Sequence, residues 1–291
     1  DKFLEIKQSR ENGLKCSLDL TGAIIVTELM ENGSLETIVE NYLKSEGKNI
    51  EKMNPTIRSK ILFGIAATMK HVHQQNVIHR DLKLQNVFLD DKLEPRIADF
   101  GLAKVVMDKV DMTMAIGTPF YMAPEIFMDG DETYGISVDV YAFAFIIFKM
   151  FSIEVQFADL KKIRTSQQFM RKIAEGKRPK RPKSIPDCYW ELVQKCWDQI
   201  PGNRPTFEEI TEILKDDKFA IEEFGMKTDL DQLHEYQNRI DQDSLNDSSN
   251  FNKSIRMVAV KDKVMLLRAS MRNISVLKRN GRSLKFNWKR H

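Results

Sequence analysis

No apolar run approaches the eighteen or so residues that a membrane-spanning helix needs. The longest, Val140 to Phe148, is bounded by Asp139 and Lys149 and reads as a helix buried on all sides. The N-terminus lacks the charged, apolar and small-residue order of a secretory leader. Residue 1 is Asp rather than Met, so the numbered chain is expected to be a fragment or a processed product. Cysteine is scarce: Cys16, Cys188 and Cys196 are odd in number and have no metal-ligand spacing. Reduced core thiols are therefore expected, and with the missing leader they favour a cytoplasmic protein. His71 and His73 lie two apart and so do not share a helix face, which excludes a helical metal pair. No internal repeat is present.

Acid is nearly absent from one region. Residues 253–291 hold twelve Lys/Arg and a single acid, Asp262. That is +11 in a chain whose net charge is +3, so residues 1–252 carry −8. An acidic body with a basic tail is expected to draw the tail toward acidic partners. Trp288 and Phe286 lie in the tail, but no RNA-binding motif does, so solvated charge is the preferred reading over nucleic-acid recognition.

What is present begins with size. With 42% hydrophobic residues over 291 positions, the chain can bury one good core, with room for an appendage. Leu18 to Met30 reads as a turn leading into a buried strand, which Asn32-Gly33 breaks. Ser34 can cap a helix with apolar positions Leu35, Ile38, Val39 and Tyr42. A second helix runs from about Pro55 to Gln75, with Ile57, Ile61, Leu62, Ile65, Met69 and Val72 as its stripe and Pro55 in its first turn. Short β-branched runs follow at Val77-Ile78 and at 86–89. Helices are expected at about 137–152, 167–175, 187–197 and 206–214. Beyond Phe219 the pattern weakens. The span 220–252 reads as a polar linker, and 253–291 as either a disordered tail or a small β element around Asn280-Gly281.

The chemistry-bearing residues fall in irregular segments between these elements, where a rigid scaffold usually displays functional groups. They are His79-Arg80-Asp81-Leu82-Lys83-Leu84-Gln85-Asn86, then Asp99-Phe100-Gly101, then Ala123-Pro124-Glu125. Asp81 can accept a hydrogen bond from a hydroxyl, and Asn86 and Asp99 offer hard oxygen ligands that suit Mg²⁺. One short loop spans Asp81 to Asn86, so both can face one phosphate.

Together, in this order and spacing, these motifs resemble the catalytic half of a eukaryotic protein kinase. The resemblance covers roughly Lys2 to Phe219. It implies an α+β, protein kinase-like fold, mostly the helical C-lobe with a truncated β-rich N-lobe. Residues 1–30 would be a remnant of the N-lobe and hinge, and 31–219 the C-lobe. It implies ATP and Mg²⁺ as cofactors and a protein as substrate. By resemblance, Asp81 is the catalytic Asp, Lys83 contacts the γ-phosphate, and Asn86 and Asp99 hold metal. Glu28, Leu29 and Met30 fall at the hinge that binds adenine through backbone groups, and Phe88 would be the apolar floor under the base. Asp139 matches the residue that holds the catalytic loop, containing His79 and Arg80, by its backbone. Arg204 matches the partner of Glu125. Thr118 would pack against that loop, and Thr113 would be the activating phosphorylation site with Arg80 as phosphate partner.

The substrate class follows from two stretches. His-Arg-Asp-Leu-Lys around Lys83, and Gly117 to Glu125, look like the serine/threonine form. Lys195-Cys196-Trp197 and Arg204-Pro205-Thr206-Phe207 are similar to tyrosine kinases and the tyrosine kinase-like group. The combination resembles a tyrosine kinase-like serine/threonine kinase. Departures from the pattern are Tyr141 where a Trp is usual and Ala144 where a Gly is usual. No Gly-x-Gly-x-x-Gly loop and no Val-Ala-x-Lys strand lies before His79, so residues 1–291 alone are expected to transfer little phosphate. A scaffold that binds partners without catalysis is the rival reading.

Overall fold

The computed structural model describes residues 14–18, 24–28, 30, 32–45, 53–100, 104–105, 119–128, 134–154, 166–250, 258–260 and 263–265. Side chains are described only within 30, 32–45, 53–100, 120–127, 134–154 and 168–243. Most of the architecture is helical, with the strands in antiparallel pairs.

The first pair is β1 (Leu14–Leu18) with β2 (Ile24–Glu28), in register Leu14↔Glu28 to Leu18↔Ile24. Helix α1 (Leu35–Lys44) follows, with Leu35, Val39 and Tyr42 buried. Ser34 sits at its N-cap with extended backbone, as expected, but its side chain makes no cap bond to the helix. Instead its backbone bridges Phe88.

Helix α2 (Pro55–Gln74) is the long axis of the core. Asn54 caps it, accepting from Ile57 N at 2.9 Å, and Pro55 occupies the first turn, where its missing N–H costs nothing. The second axis is α4 (Ser137–Phe151), in which nearly every residue is buried. Helix α7 (Phe207–Ile213) packs on α2 and α6 (Asp187–Cys196) on α4. A full capping box between Thr206 and Glu209 starts α7. Two short helices, α3 (Glu125–Met128) and α5 (Ser166–Ala174), complete this body.

Four strands, in two pairs, frame the candidate site. β3 (Val77–Ile78) pairs with β6 (Lys104–Val105). β4 (Val87–Leu89) pairs with β5 (Pro95–Ile97), in register Val87↔Ile97. Asp90 builds the turn between them: its Oδ1 accepts from Lys92 N and Glu94 N, both at 2.9 Å, and its Oδ2 accepts from Arg96.

The described part of the expected linker, 220–250, is not one. It forms a hairpin, β7 (Glu222–Glu223) with β8 (Met226–Lys227), and then helix α8 (Leu230–Asn250), which packs on α2. The apolar positions of α8 are few, chiefly Leu233, Tyr236 and Ile240, and they are diluted by charge. They nevertheless recur every three to four residues and so share one face. In the tail the backbone forms a further hairpin, β9 (Val258–Val260) with β10 (Lys263–Met265). The Asn280-Gly281 stretch lies outside the described residues.

Burial of Arg58 explains why the hairpin belongs to the core. Arg58 on α2 is 0% exposed. Its guanidinium lies between the rings of Tyr42 and Phe151, at 5.2 and 4.8 Å from their centroids. It donates to the Met150 carbonyl and to the Glu223 carboxylate on β7, and Tyr42 also donates to Glu223. A buried cation without its counter-ion is costly, so Glu223→Ala is expected to lower unfolding free energy by about 3–5 kcal/mol. Arg58→Met combined with Glu223→Leu should lose much less. Urea unfolding of the three proteins checks the ordering, and equal losses would contradict it.

Candidate active site

The loop from His79 to Asn86 is anchored from below by Asp139 in the first turn of α4. This carboxylate is 1% exposed and accepts three hydrogen bonds. Oδ2 accepts from His79 N at 2.8 Å and from His73 Nε2 at 2.9 Å, and Oδ1 accepts from Arg80 N at 2.9 Å. Arg80 is held in the left-handed region at φ 69°, uncommon for a residue with a Cβ. The bonded amides of His79 and of Arg80 itself fix it.

His79 bridges the loop to the segment after β5. Its Nδ1 accepts from Asp81 N at 3.3 Å, so the proton is on Nε2, which donates to the Ala98 carbonyl at 3.1 Å. Burial lowers its pKa, against the opposing pull of Asp139, so it stays a neutral ring that can accept and donate at once. Phe100 packs against the same ring, 4.6 Å between centroids.

Asp81, Lys83 and Asn86 form one cluster. Lys83 Nζ lies 2.8 and 2.6 Å from the two carboxylate oxygens of Asp81. Asn86 Nδ2 donates to the Asp81 carbonyl at 2.7 Å and to its Oδ2 at 2.8 Å. Only the amide nitrogen can serve two acceptors, which leaves the Asn86 oxygen as the acceptor or ligand atom. Backbone pairing fixes the distance to the next motif: Ala98 N donates to Asn86 O at 2.8 Å. Asp99 follows, exposed and at φ 63°.

The donor set fits Mg²⁺. Among the described residues no group of three or more His, Cys, Asp or Glu converges to hold a metal. Mg²⁺ does not need one, because it is usually held by one or two protein oxygens together with substrate phosphates and water. Asn86 and Asp99 offer oxygens of that kind.

A second anchor also meets the start of α4. Arg204 binds Glu125 through two parallel bonds, Nη1–Oε1 at 2.6 Å and Nη2–Oε2 at 2.8 Å. It also donates to the carbonyls of Asp198 and Ser137. Its guanidinium lies 5.1 Å from the Tyr141 ring, and Arg178 lies 5.2 Å from the same ring. The unusual Tyr141 thus keeps an aromatic face for two cations, while burial raises its pKa to about 12.

Of the sequence-predicted residues, His79, Arg80, Asp81, Lys83, Asn86, Asp99 and Asp139 come together, and Glu125 and Arg204 pair apart from them. Phe88, on β4, and Met30 are half-buried; Glu28 ends β2, and its side chain is not described. Leu29, Thr113 and Thr118 lie outside the described residues. Sequence reasoning missed His73, which it weighed only as a metal ligand. No local signal marked it, since its partner Asp139 lies 66 residues further along the chain.

The comparisons with known proteins agree with this geometry. The protein kinase domain family matches residues 15–217. The chain belongs to the protein kinase domain family. Curated relatives include the RGS domain-containing serine/threonine-protein kinase A of Dictyostelium discoideum, 36% identical over 190 residues, 65% of this chain and 16% of that protein. Serine/threonine-protein kinase STY17 of Arabidopsis thaliana is 33% identical over 190 residues, 65% of this chain and 31% of that protein. A putative serine/threonine-protein kinase/receptor, R818, of Acanthamoeba polyphaga mimivirus is 32% identical over 194 residues, 66% of this chain and 11% of that protein. This kinase-family chain thus spans under a third of the length of these relatives.

The Arg204–Glu125 pair gives a direct check. Arg204→Lys keeps the charge but cannot make two parallel bonds. It is expected to lower unfolding free energy by about 2–3 kcal/mol, more than an exposed pair is worth. A change below about 0.5 kcal/mol, the size typical of surface substitutions, would show that the fork geometry contributes nothing.

Proposed function

We propose that this protein is a serine/threonine kinase, transferring the γ-phosphoryl group of ATP to hydroxyls of protein substrates. The observation that carries this reading is the hydrogen-bonded cluster of Asp81, Lys83 and Asn86, tied through Ala98 to Asp99. A partner-binding scaffold has no need of that set. The serine/threonine assignment is supported by Lys83 within the loop and by the printed names of the curated relatives. Membership of the tyrosine kinase-like group rests on Lys195-Cys196-Trp197 and on Arg204 to Phe207.

Asp81 orients the attacking hydroxyl and receives its proton. The hydroxyl oxygen forms the new bond to phosphorus as the bond to the ADP leaving group breaks. Lys83, now balanced by the Asp81 carboxylate, turns its charge to the γ-phosphate. Asn86 and Asp99 would hold Mg²⁺, which when bound neutralises phosphate charge. Glu28, Leu29 and Met30 would meet adenine through backbone groups, with Phe88 beneath the base. The bridge between Ser34 and Phe88 supports this placement, because it brings the segment after the hinge onto β4. Arg80 would pair with a phosphate on Thr113, and Thr118 would rest against the loop.

The test uses the full-length protein, MgATP and a peptide library. Phosphate should appear on serine and threonine. Asp81→Asn should lower kcat on the order of 10²–10⁴-fold with an unchanged fold by circular dichroism. Phosphotyrosine as the main product would overturn the substrate class, and near-normal kcat in Asp81→Asn would overturn the mechanism.

The basic tail would associate with acidic partners by charge alone, and the protein would work in the cytoplasm. Among the described residues no helix is long and apolar enough to cross a membrane. Twelve cations against one anion over 253–291 should bind a polyanion such as heparin by counterion release. Affinity is expected to fall at least tenfold between about 50 and 200 mM salt. Salt-independent binding would point instead to a folded recognition surface.

A further inference from the structure

Helix α8 lies beyond the segment matched to the kinase domain family, yet it touches the strand pair that carries the candidate site. Tyr236 is buried, its ring edge-on to Phe63 of α2 at 6.2 Å. One turn later, Arg239 donates to the Glu94 carboxylate in the β4–β5 turn, and its guanidinium lies 5.2 Å from the Tyr236 ring. Glu94 in turn lies 4.0 Å from Arg96, which binds Asp90. The charges Asp90, Arg96, Glu94 and Arg239 therefore alternate in sign from the turn to the helix.

Gly64 shows how closely the parts meet. A Cβ there would lie 2.7 Å from Pro95 Cγ, at the start of β5, and closer still to Tyr236 Oη. Neither would leave room for it, so α2, β5 and α8 meet where only glycine fits.

The strand pair held in this way is the one that matters for the site. Asn86 immediately precedes β4, and Ala98-Asp99 immediately follow β5. The same backbone link, Ala98 N to Asn86 O, closes the far end of the pair. A force on the turn at Asp90–Glu94 would be carried along both strands to Asn86 and Asp99 at their other ends.

We propose that α8 is a positioning element for the catalytic strand pair, with Arg239 and Tyr236 holding the Asp90–Glu94 turn so that Asn86 and Asp99 keep their spacing. This rests on the kinase reading above only for its effect on ATP use; the mechanical coupling stands without it. Arg239 and Tyr236 touch no substrate in this account.

Two readouts on the full-length protein separate the two. Hydrogen exchange reports the amides of Leu93 and Ala98, which bond Asp90 O and Asn86 O. Steady-state kinetics report KM for MgATP against kcat. Arg239→Glu sets a carboxylate against Glu94. It is expected to speed exchange at Leu93 and Ala98 about tenfold, with exchange in α4 unchanged, and to raise KM for MgATP severalfold more than it lowers kcat. Adding Glu94→Gln removes the like-charge repulsion and should restore most of both. Gly64→Ala, which wedges α8 and β5 from α2 without altering any charge, should give the same local pattern. Unchanged exchange at the two amides in both variants would overturn the proposal. So would a uniform rise across α2, α4 and the strands, which is the mark of lost stability alone. If the wild-type protein shows no phosphoryl transfer, the kinase reading fails while the exchange result still decides the coupling.

Discussion

The site depends first on a single buried carboxylate. Asp139 stands where α4 begins and takes three hydrogen bonds from the loop and from His73. Buried as they are, these donors would be left without an acceptor if the carboxylate were removed. The left-handed turn at Arg80 is held because the amides of His79 and of Arg80 itself are bound there. Once the turn is made, Asp81 and Asn86 face one another across the loop, and His79 reaches Ala98. The geometry of the site is thus set from the helix core outward.

The same device recurs at the edges of the fold. Arg58 and Arg204 are buried cations, and each is matched by a carboxylate brought from far along the chain, Glu223 and Glu125. Both guanidiniums also lie against aromatic rings. Pairs of this kind add little net stability over apolar packing, but losing one partner is costly. They specify which segments must meet. Glu223 and Arg239 carry that logic past the end of the matched kinase segment, which is why the C-terminal hairpin and helix are part of one packed body with α2.

Much of this was legible in the sequence. The helices at 35–44, 55–74, 137–151 and 187–196 follow from apolar spacing, and the start of the second from Pro55, whereas the caps at Asn54 and Thr206 were not read. The site residues were legible because their chemistry is local: Asp81, Lys83 and Asn86 sit within one loop. What could not be read depends on distant partners. Arg58 looks like a surface residue on an amphipathic helix until Glu223 closes over it. Helix α8 reads as a linker because Asp, Asn and Gln dominate it, and three or four apolar residues suffice once α2 supplies the other half of the contact. His73 carries no motif of its own; its role exists only because α4 brings Asp139 beneath it.

The central claim is that the Asp139 carboxylate holds the loop in its working shape. Asp139→Asn tests it most directly, since the amide can accept from one side only and presents an N–H to donors on the other. Hydrogen exchange should show the His79 and Arg80 amides exchanging on the order of 10²-fold faster, a loss of about 2.7 kcal/mol at the loop. The interior of α4 should keep its protection. Unchanged protection of those two amides would mean that the loop holds its shape without the carboxylate, and the account would be wrong.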